Sequence, residues 1–213
     1  MHGYAGKNIL PIVYECIGLY LVLAFFTCLL PGCVKNTEDQ TVLPHSTSAG
    51  SMTISYPDGF PNVRETSATS LYLPEGVSCD GAVLIANDDY STVIELTSIS
   101  DPNDLGIAAV EDYWQKLITD FPKDENDDEF EQQFPGLRTM AEEAVVEEPQ
   151  YIVINGNRAL TVSQTVKAEV RQVFYYIESG NRIVGLARGT FPNSKYLQEP
   201  SYFDSIFSSI KIS

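Results

Sequence analysis

Seven carboxylates fall within residues 120–131: Asp120, Asp124, Glu125, Asp127, Asp128, Glu129 and Glu131. Dense carboxylate oxygen is the ligand chemistry of a hard cation such as calcium, which takes about six to eight oxygens. Asp124, Asn126 and Asp128 reproduce the alternating spacing of the first three ligands in a calcium-binding loop. Glu129 then stands where that loop turns on a Gly, and Pro135 where a bidentate Glu closes the shell. The expectation is a solvated charge run without a metal. A calcium site on Asp124, Asn126 and Asp128 is the competing reading.

Other chemistry-bearing residues are sparse. Histidine occurs only as His2 and His45. Both precede the segment read below as the globular domain. On that reading, Ser-His-Asp and Cys-His nucleophile systems and His-bearing zinc sites are excluded from the fold. Walker A, GxGxxG and GxSxG patterns are absent. Two carboxyl groups about 5–10 Å apart in a cleft, one with a raised pKa, would still suffice for glycan hydrolysis. A linear sequence does not reveal such a pair. Cys16 and Cys28 lie in an apolar N-terminal stretch and Cys33 follows it, which leaves Cys79 alone in the remainder. No disulfide framework follows. Cys79 sits between Gly76 and Gly81 in an expected loop, where Glu75 and Asp80 oppose thiolate formation, so an inert, partly buried thiol is expected. Arg158, Lys167, Arg171, Arg182 and Arg188 read as solvent-side strand and hairpin charges. The alternative gathers them on one positive face for an anionic partner.

The formal net charge is −16, with the acidic surplus concentrated in residues 101–150 and a basic balance after residue 150. Phosphate backbones repel such a chain, so nucleic acid is not an expected partner. Nothing in the composition calls for a cofactor.

The elements that would position these residues begin after an address segment. Residues 9–30 are apolar apart from Glu15, and residues 16–30 form an uninterrupted run that fits a secretory h-region behind Lys7. Leu30-Pro31-Gly32-Cys33 resembles a lipobox, in which Cys33 is lipidated and becomes the new N-terminus. Pro31 and the long leader depart from that pattern, and an uncleaved signal anchor is the second reading, with Glu15 its awkward residue. Both place the remainder on the extracytoplasmic side. Residues 34–52, rich in Ser, Thr and charge, read as a flexible tether in which His45 is solvated.

Residues 53–213 read as one α+β domain, an antiparallel sheet flanked by helices. Short strands are expected at 53–56 and 71–73, then a hairpin of 82–86 and 92–99. Ile107, Val110, Tyr113, Trp114, Leu117, Ile118 and Phe121 mark one face of a helix. After a carboxylate-rich connection come strands at 144–154, 158–166, 170–178 and 182–188, the first pair joined by Asn155-Gly156. A final helix starts near Glu199 with Tyr202, Phe203, Ile206, Phe207 and Ile210 on one face. In strand 158–166, Leu160, Val162 and Val166 point one way and Ala159, Thr161, Ser163 and Thr165 the other. The small residues of the second face suit a closely approaching helix or a solvated surface. Phe174-Tyr175-Tyr176 must alternate across the sheet, which implies core packing rather than a stacking platform.

ISYPDGF at 54–60, the mid-chain helix, NGNRAL at 155–160 and FDSIFSSIKI at 203–212 together resemble the PsbP-like domain. That family is named for an extrinsic subunit of photosystem II and recurs as small lipoproteins of unknown role. The resemblance covers about residues 52–213 and implies an α/β/α sandwich around an antiparallel sheet. It transfers no catalytic, metal or partner residue. The functional expectation is a non-catalytic, membrane-anchored, extracytoplasmic binding or accessory domain for an unidentified protein or small ligand. The alternatives are a carboxylate-dependent hydrolase acting on a glycan-type substrate and a calcium-dependent adhesin.

Overall fold

In strand β9 (Val170–Ser179) every residue from Gln172 to Glu178 is buried. A strand buried on both faces must lie inside a sheet covered on both sides. The computed structural model, which describes residues 42–67, 72–119 and 144–213, places it so. The described elements belong to a compact unit, Thr41–Ser213. Residues 1–33 with Cys33, and 120–131 with Asp124, Asn126 and Asp128, lie outside the described residues.

The large sheet is antiparallel. Its strands are β3 (Asn62–Thr66), β4 (Ser78–Ala86), β5 (Val93–Ser100), β6 (Ala144–Val146), β7 (Gln150–Ile154), β8 (Asn157–Val166), β9 and β10 (Arg182–Pro192). They run in the order β3-β4-β5-β10-β9-β8-β6, with β7 also paired to β8. A second sheet has the order β1-β2-β11, from β1 (His45–Ala49), β2 (Met52–Tyr56) and β11 (Lys211–Ile212). The fold is therefore strand-rich with a few helices.

Two apolar clusters divide the core. One joins Leu160, Val162, Phe174 and Tyr176 to Ile107, Val110, Trp114 and Leu117 of helix α1 (Gly106–Thr119). The other joins Ala159, Val173 and Tyr175 to Met52 and Ile54 of the small sheet and to Phe203, Ile206 and Phe207. These phenylalanines and Ile206 belong to helix α3 (Pro200–Ser208), which follows the short helix α2 (Asn193–Gln198). Alternation along β8 and β9 sorts residues between the clusters, and Phe174, Tyr175 and Tyr176 divide as their positions require.

Helix α1 starts on two buried carboxylates from elsewhere in the chain. Asp101 accepts the N–H groups of Leu105 and Gly106 at 3.0 and 2.9 Å, and that of Ile183 on β10 at 3.2 Å. Glu178 on β9 accepts the Ile107 N–H at 3.1 Å. The first amides of a helix have no partner within it, and negative charge there is favoured by the helix dipole. Gly106 has φ +66°, and a Cβ there would stand 2.7 Å from Glu178 Oε1.

Several expectations change. Residues 45–52 of the segment read as a tether belong to the fold instead, because β1 forms from His45 and pairs with β2. Its Ser and Thr side chains bury little apolar area, so composition hid a strand that backbone pairing stabilises. Within the segment read as a strand at 71–73, Tyr72 instead turns the chain at φ +68°. Its ring stacks on Trp114 at 5.5 Å, and its carbonyl accepts the Tyr176 hydroxyl at 2.8 Å. The strand β3, with the sequence NVRET, escaped notice because a charged edge strand lacks apolar alternation. The strand expected over 144–154 divides into β6 and β7 around Glu147-Glu148-Pro149. Pro149 has no N–H to give the ladder.

Candidate functional site

A cleft of about 460 Å³ opens on the face of the large sheet that carries α3. Strand periodicity builds its floor: Thr161 and Ser163 of β8 lie beside Arg171, Val173 and Tyr175 of β9. Glu147 and Glu148 of the β6–β7 connection, with Gln150 of β7, form one wall. Tyr196 of α2 with Asp204 and Ser208 of α3 form the other. The small polar face of β8 thus serves both expected uses. Ala159 is fully buried in the cluster that includes α3, whereas Thr161 and Ser163 leave the space that becomes the cleft.

Arg171 organises this cleft. Its Nη1 and Nη2 donate to Glu147 Oε1 and Oε2 at 2.5 and 2.9 Å, a bidentate pair. The guanidinium carbon lies 4.8 Å from the Tyr196 ring centroid. The Arg171 side chain is 12% exposed and that of Glu147 52%, so the acid screens the base from solvent. Arg171 Nε is buried without a hydrogen-bond partner.

Tyr175 stacks on Phe207 with centroids 4.5 Å apart. Burial, followed by the negative charge of Asp204, pushes its phenol well above the ordinary range. Burial and Asp204 also raise Tyr196, against the opposing charge of Arg171. Asp204 remains exposed to solvent on one side. Protein crowds the carboxyl on the other, and this partial desolvation raises its pKa.

The five basic residues considered together in the sequence do not form one positive face. Arg158 pairs with Glu178 at 3.3 Å, Arg188 with Glu95 at 2.6 Å, Arg182 with Asp104, and Arg171 with Glu147. Lys167 occupies the β8–β9 turn at φ +52°. Each arginine therefore meets its own carboxylate, and the pairs are distributed over both faces and the hairpin ends.

His45 corrects the histidine argument. It belongs to β1, its Nε2 lies 2.8 Å from Asp58 Oδ1, and its ring stacks on Tyr56 at 5.5 Å. The domain therefore holds a His–Asp contact that the sequence reading excluded by ending the tether too late. The Asp58 side chain is 88% exposed, so water screens the pair. Cys79 lies on β4 at an irregularity between Cys79 and Gly81, not in a loop. Its thiol is pushed up by burial, then by Glu95 and Asp80, which is the direction expected from the sequence.

Among the described residues, no group of three or more His, Cys, Asp or Glu side chains could hold a metal ion. Among them too, no helix is long and apolar enough to cross a membrane. Sequence reasoning missed the Glu147–Arg171 pair and the positions of Tyr196 and Asp204. The one available signal was the run of small residues Ala159, Thr161, Ser163 and Thr165 facing one way.

No family model matches the chain, and no curated protein matches it either. Among solved structures it is similar to the solution structure of cyanobacterial PsbP (CyanoP) from Synechocystis sp. PCC 6803. Sequence identity is 13%, the alignment covers 79% of this chain and 92% of that one, and the TM-score is 0.49. That protein bears the name of the family that the sequence motifs resemble. At this identity and superposition, the likeness assigns no ligand or partner to this chain.

Proposed function

We propose that this chain is a non-catalytic binding or accessory domain, tethered to the extracytoplasmic face of a membrane by its N-terminal segment. Its cleft between β8, β9 and α3 is the docking place for a small polar ligand or a protruding side chain of a partner. The arrangement of Arg171 carries this reading. Its two outer nitrogens are committed to Glu147, so the strongest charged pair in the cleft shapes the wall rather than awaiting a reacting group. Hydroxyl groups at Thr161, Ser163 and Ser208 then offer hydrogen bonds around an open volume of ligand size. In finer terms, α1 and α3 over the large sheet are the outer layers of an α/β/α sandwich, with the β1-β2-β11 sheet added beside α3.

One observation favours the hydrolase as a second reading. Asp204 has a raised pKa in a cleft that Glu147 also lines, and a raised acid with a second carboxyl group nearby is the pair that glycoside hydrolysis uses. The readings separate cleanly. A photo-reactive residue at Ser163 of the full chain, in its native membrane, is expected to capture a discrete adduct without turnover. Release of sugar from a glycan panel, abolished by Asp204→Asn, would instead establish the hydrolase.

Anchoring has its own test. Cys33→Ala is expected to abolish metabolic lipid labelling and leave an unprocessed, larger chain. Unchanged labelling and migration would replace the lipid anchor with the uncleaved signal anchor.

A further inference from the structure

Asp204 is the acid of the cleft that the protein itself does not satisfy. Glu147 is held by Arg171, and Glu148 accepts from Gln115 at 3.2 Å. Among the described residues, no hydrogen bond or ion pair reaches the Asp204 carboxylate. The two cations of neighbouring elements are engaged elsewhere. Arg171 faces Glu147, and Lys195 Nζ lies 5.9 Å from the ring centroids of Tyr202 and Phe203. An acid partly removed from water without a counter-ion is an energetic cost that an incoming cation relieves.

The surroundings of Asp204 narrow the ligand. Thr161, Ser163 and Ser208, whose side chains carry hydroxyl oxygens able to accept hydrogen bonds, line the same cleft. An ammonium or guanidinium group brings donors and no acceptors, so such a lining satisfies it. An anion would meet Asp204 and would have to displace Glu147 to reach Arg171. Desolvated carboxylate groups in metal sites come in clusters, and no such cluster occurs among the described residues.

Resting on the reading of the cleft as a binding site, we propose that it binds an organic cation, an ammonium or guanidinium group, with Asp204 as counter-ion and the Thr161, Ser163 and Ser208 hydroxyls as acceptors. The cation is either a free small amine or a basic side chain displayed by a partner, and the chemistry of recognition is the same. The negative charge of the whole chain attracts either one.

Calorimetry on the full chain in detergent, in about 150 mM salt to screen diffuse attraction, tests this with four probes. Agmatine represents the free amine, Nα-acetyl-lysine amide the displayed side chain, maltose a neutral polyol and succinate an anion. Saturable binding of agmatine at one site per chain is expected, weakened on the order of tenfold by Asp204→Asn. Asp112→Asn, which removes an exposed acid of α1, should leave it unchanged. Binding of the lysine amide as well assigns a partner side chain, and its absence assigns a free amine. The proposal falls if Asp204→Asn has no effect, if Asp112→Asn weakens binding equally, or if no amine binds. Binding of maltose or succinate in place of the amines would also end it, while leaving the wider reading of the cleft intact.

Discussion

Asp101→Ala is expected to destabilise the domain by about 3–5 kcal/mol, the largest effect of any single carboxylate described above. Asp101 is 5% exposed and accepts three backbone N–H groups from two separate elements. Alanine would leave the buried amides of Gly106 and Ile183 without an acceptor, each at about 1–3 kcal/mol. It would also remove the negative charge at the start of α1. Asparagine should recover part of the loss, because its carbonyl oxygen still accepts while its amide faces donors. The pH dependence has a definite sign. Burial alone raises the Asp101 carboxyl, but the N–H groups of Gly106, Leu105 and Ile183 outweigh it and hold its pKa below the ordinary value. Its contribution to stability is therefore complete above the unfolded pKa, near 4. It is lost as pH falls through the depressed folded value. Urea unfolding at several pH values would show Asp101→Asn losing part of the acid-side decline. A change of less than about 1 kcal/mol in Asp101→Ala at neutral pH would refute the capping role.

Gly189→Val should cost about 3 kcal/mol, against the ordinary preference of a strand for valine. A Cβ at Gly189 would lie 2.6 Å from both Phe191 Cε1 and Phe207 Cζ. These rings are buried and held in stacks, Phe191 on Phe203 at 4.2 Å and Phe207 on Tyr175 at 4.5 Å. Rigid rings cannot turn aside as an unbranched chain can, so α3 must lift from β10. Gly185 gives the contrast. Its Cβ would meet Met52 Sδ and Cε, both at 2.1 Å, and the thioether has rotamers with which to move. Gly185→Ala should therefore be the milder change. Because Asp204 and Ser208 ride on α3, Gly189→Val should also weaken any ligand of the cleft, a second readout independent of melting. Equal denaturant midpoints for the two variants would show that the aromatic stacks yield as easily as Met52.

The helices and the meander were legible because their signals are local. The spacing of Ile107, Val110, Trp114 and Leu117, and of Phe203, Ile206 and Phe207, declares a buried stripe without reference to any neighbour. Asn155-Gly156 declares a turn by the positive φ angles that it adopts, 47° and 84°. What escaped depends on partners distant in sequence. His45–Ala49 is a strand only because β2 is beside it, and Tyr72 turns only because Trp114 and Tyr176 hold it. The cleft was half visible. The small face of β8 could be read from alternation, but whether a helix filled it depended on how far α3 extends. Arg171 and Glu147 lie 24 residues apart and Asp204 sits on another element, so no spacing rule joins them.

The second sheet begins and ends the described chain. Lys211 and Ile212 pair with Thr53 and Met52, the Ser213 amide donates to the Ser51 carbonyl at 3.0 Å, and Ser209 Oγ bridges the Ser55 backbone. The first hairpin of the described residues is thus completed by a segment synthesised some 154 positions later. Until then, one edge of β2 has backbone groups without their final partners, and Met52 and Ile54 lack the cover of α3. Closing so long a loop is entropically slow. That edge therefore stays open until β11 has been made, and a strand from a neighbouring chain could meanwhile occupy the place that β11 takes.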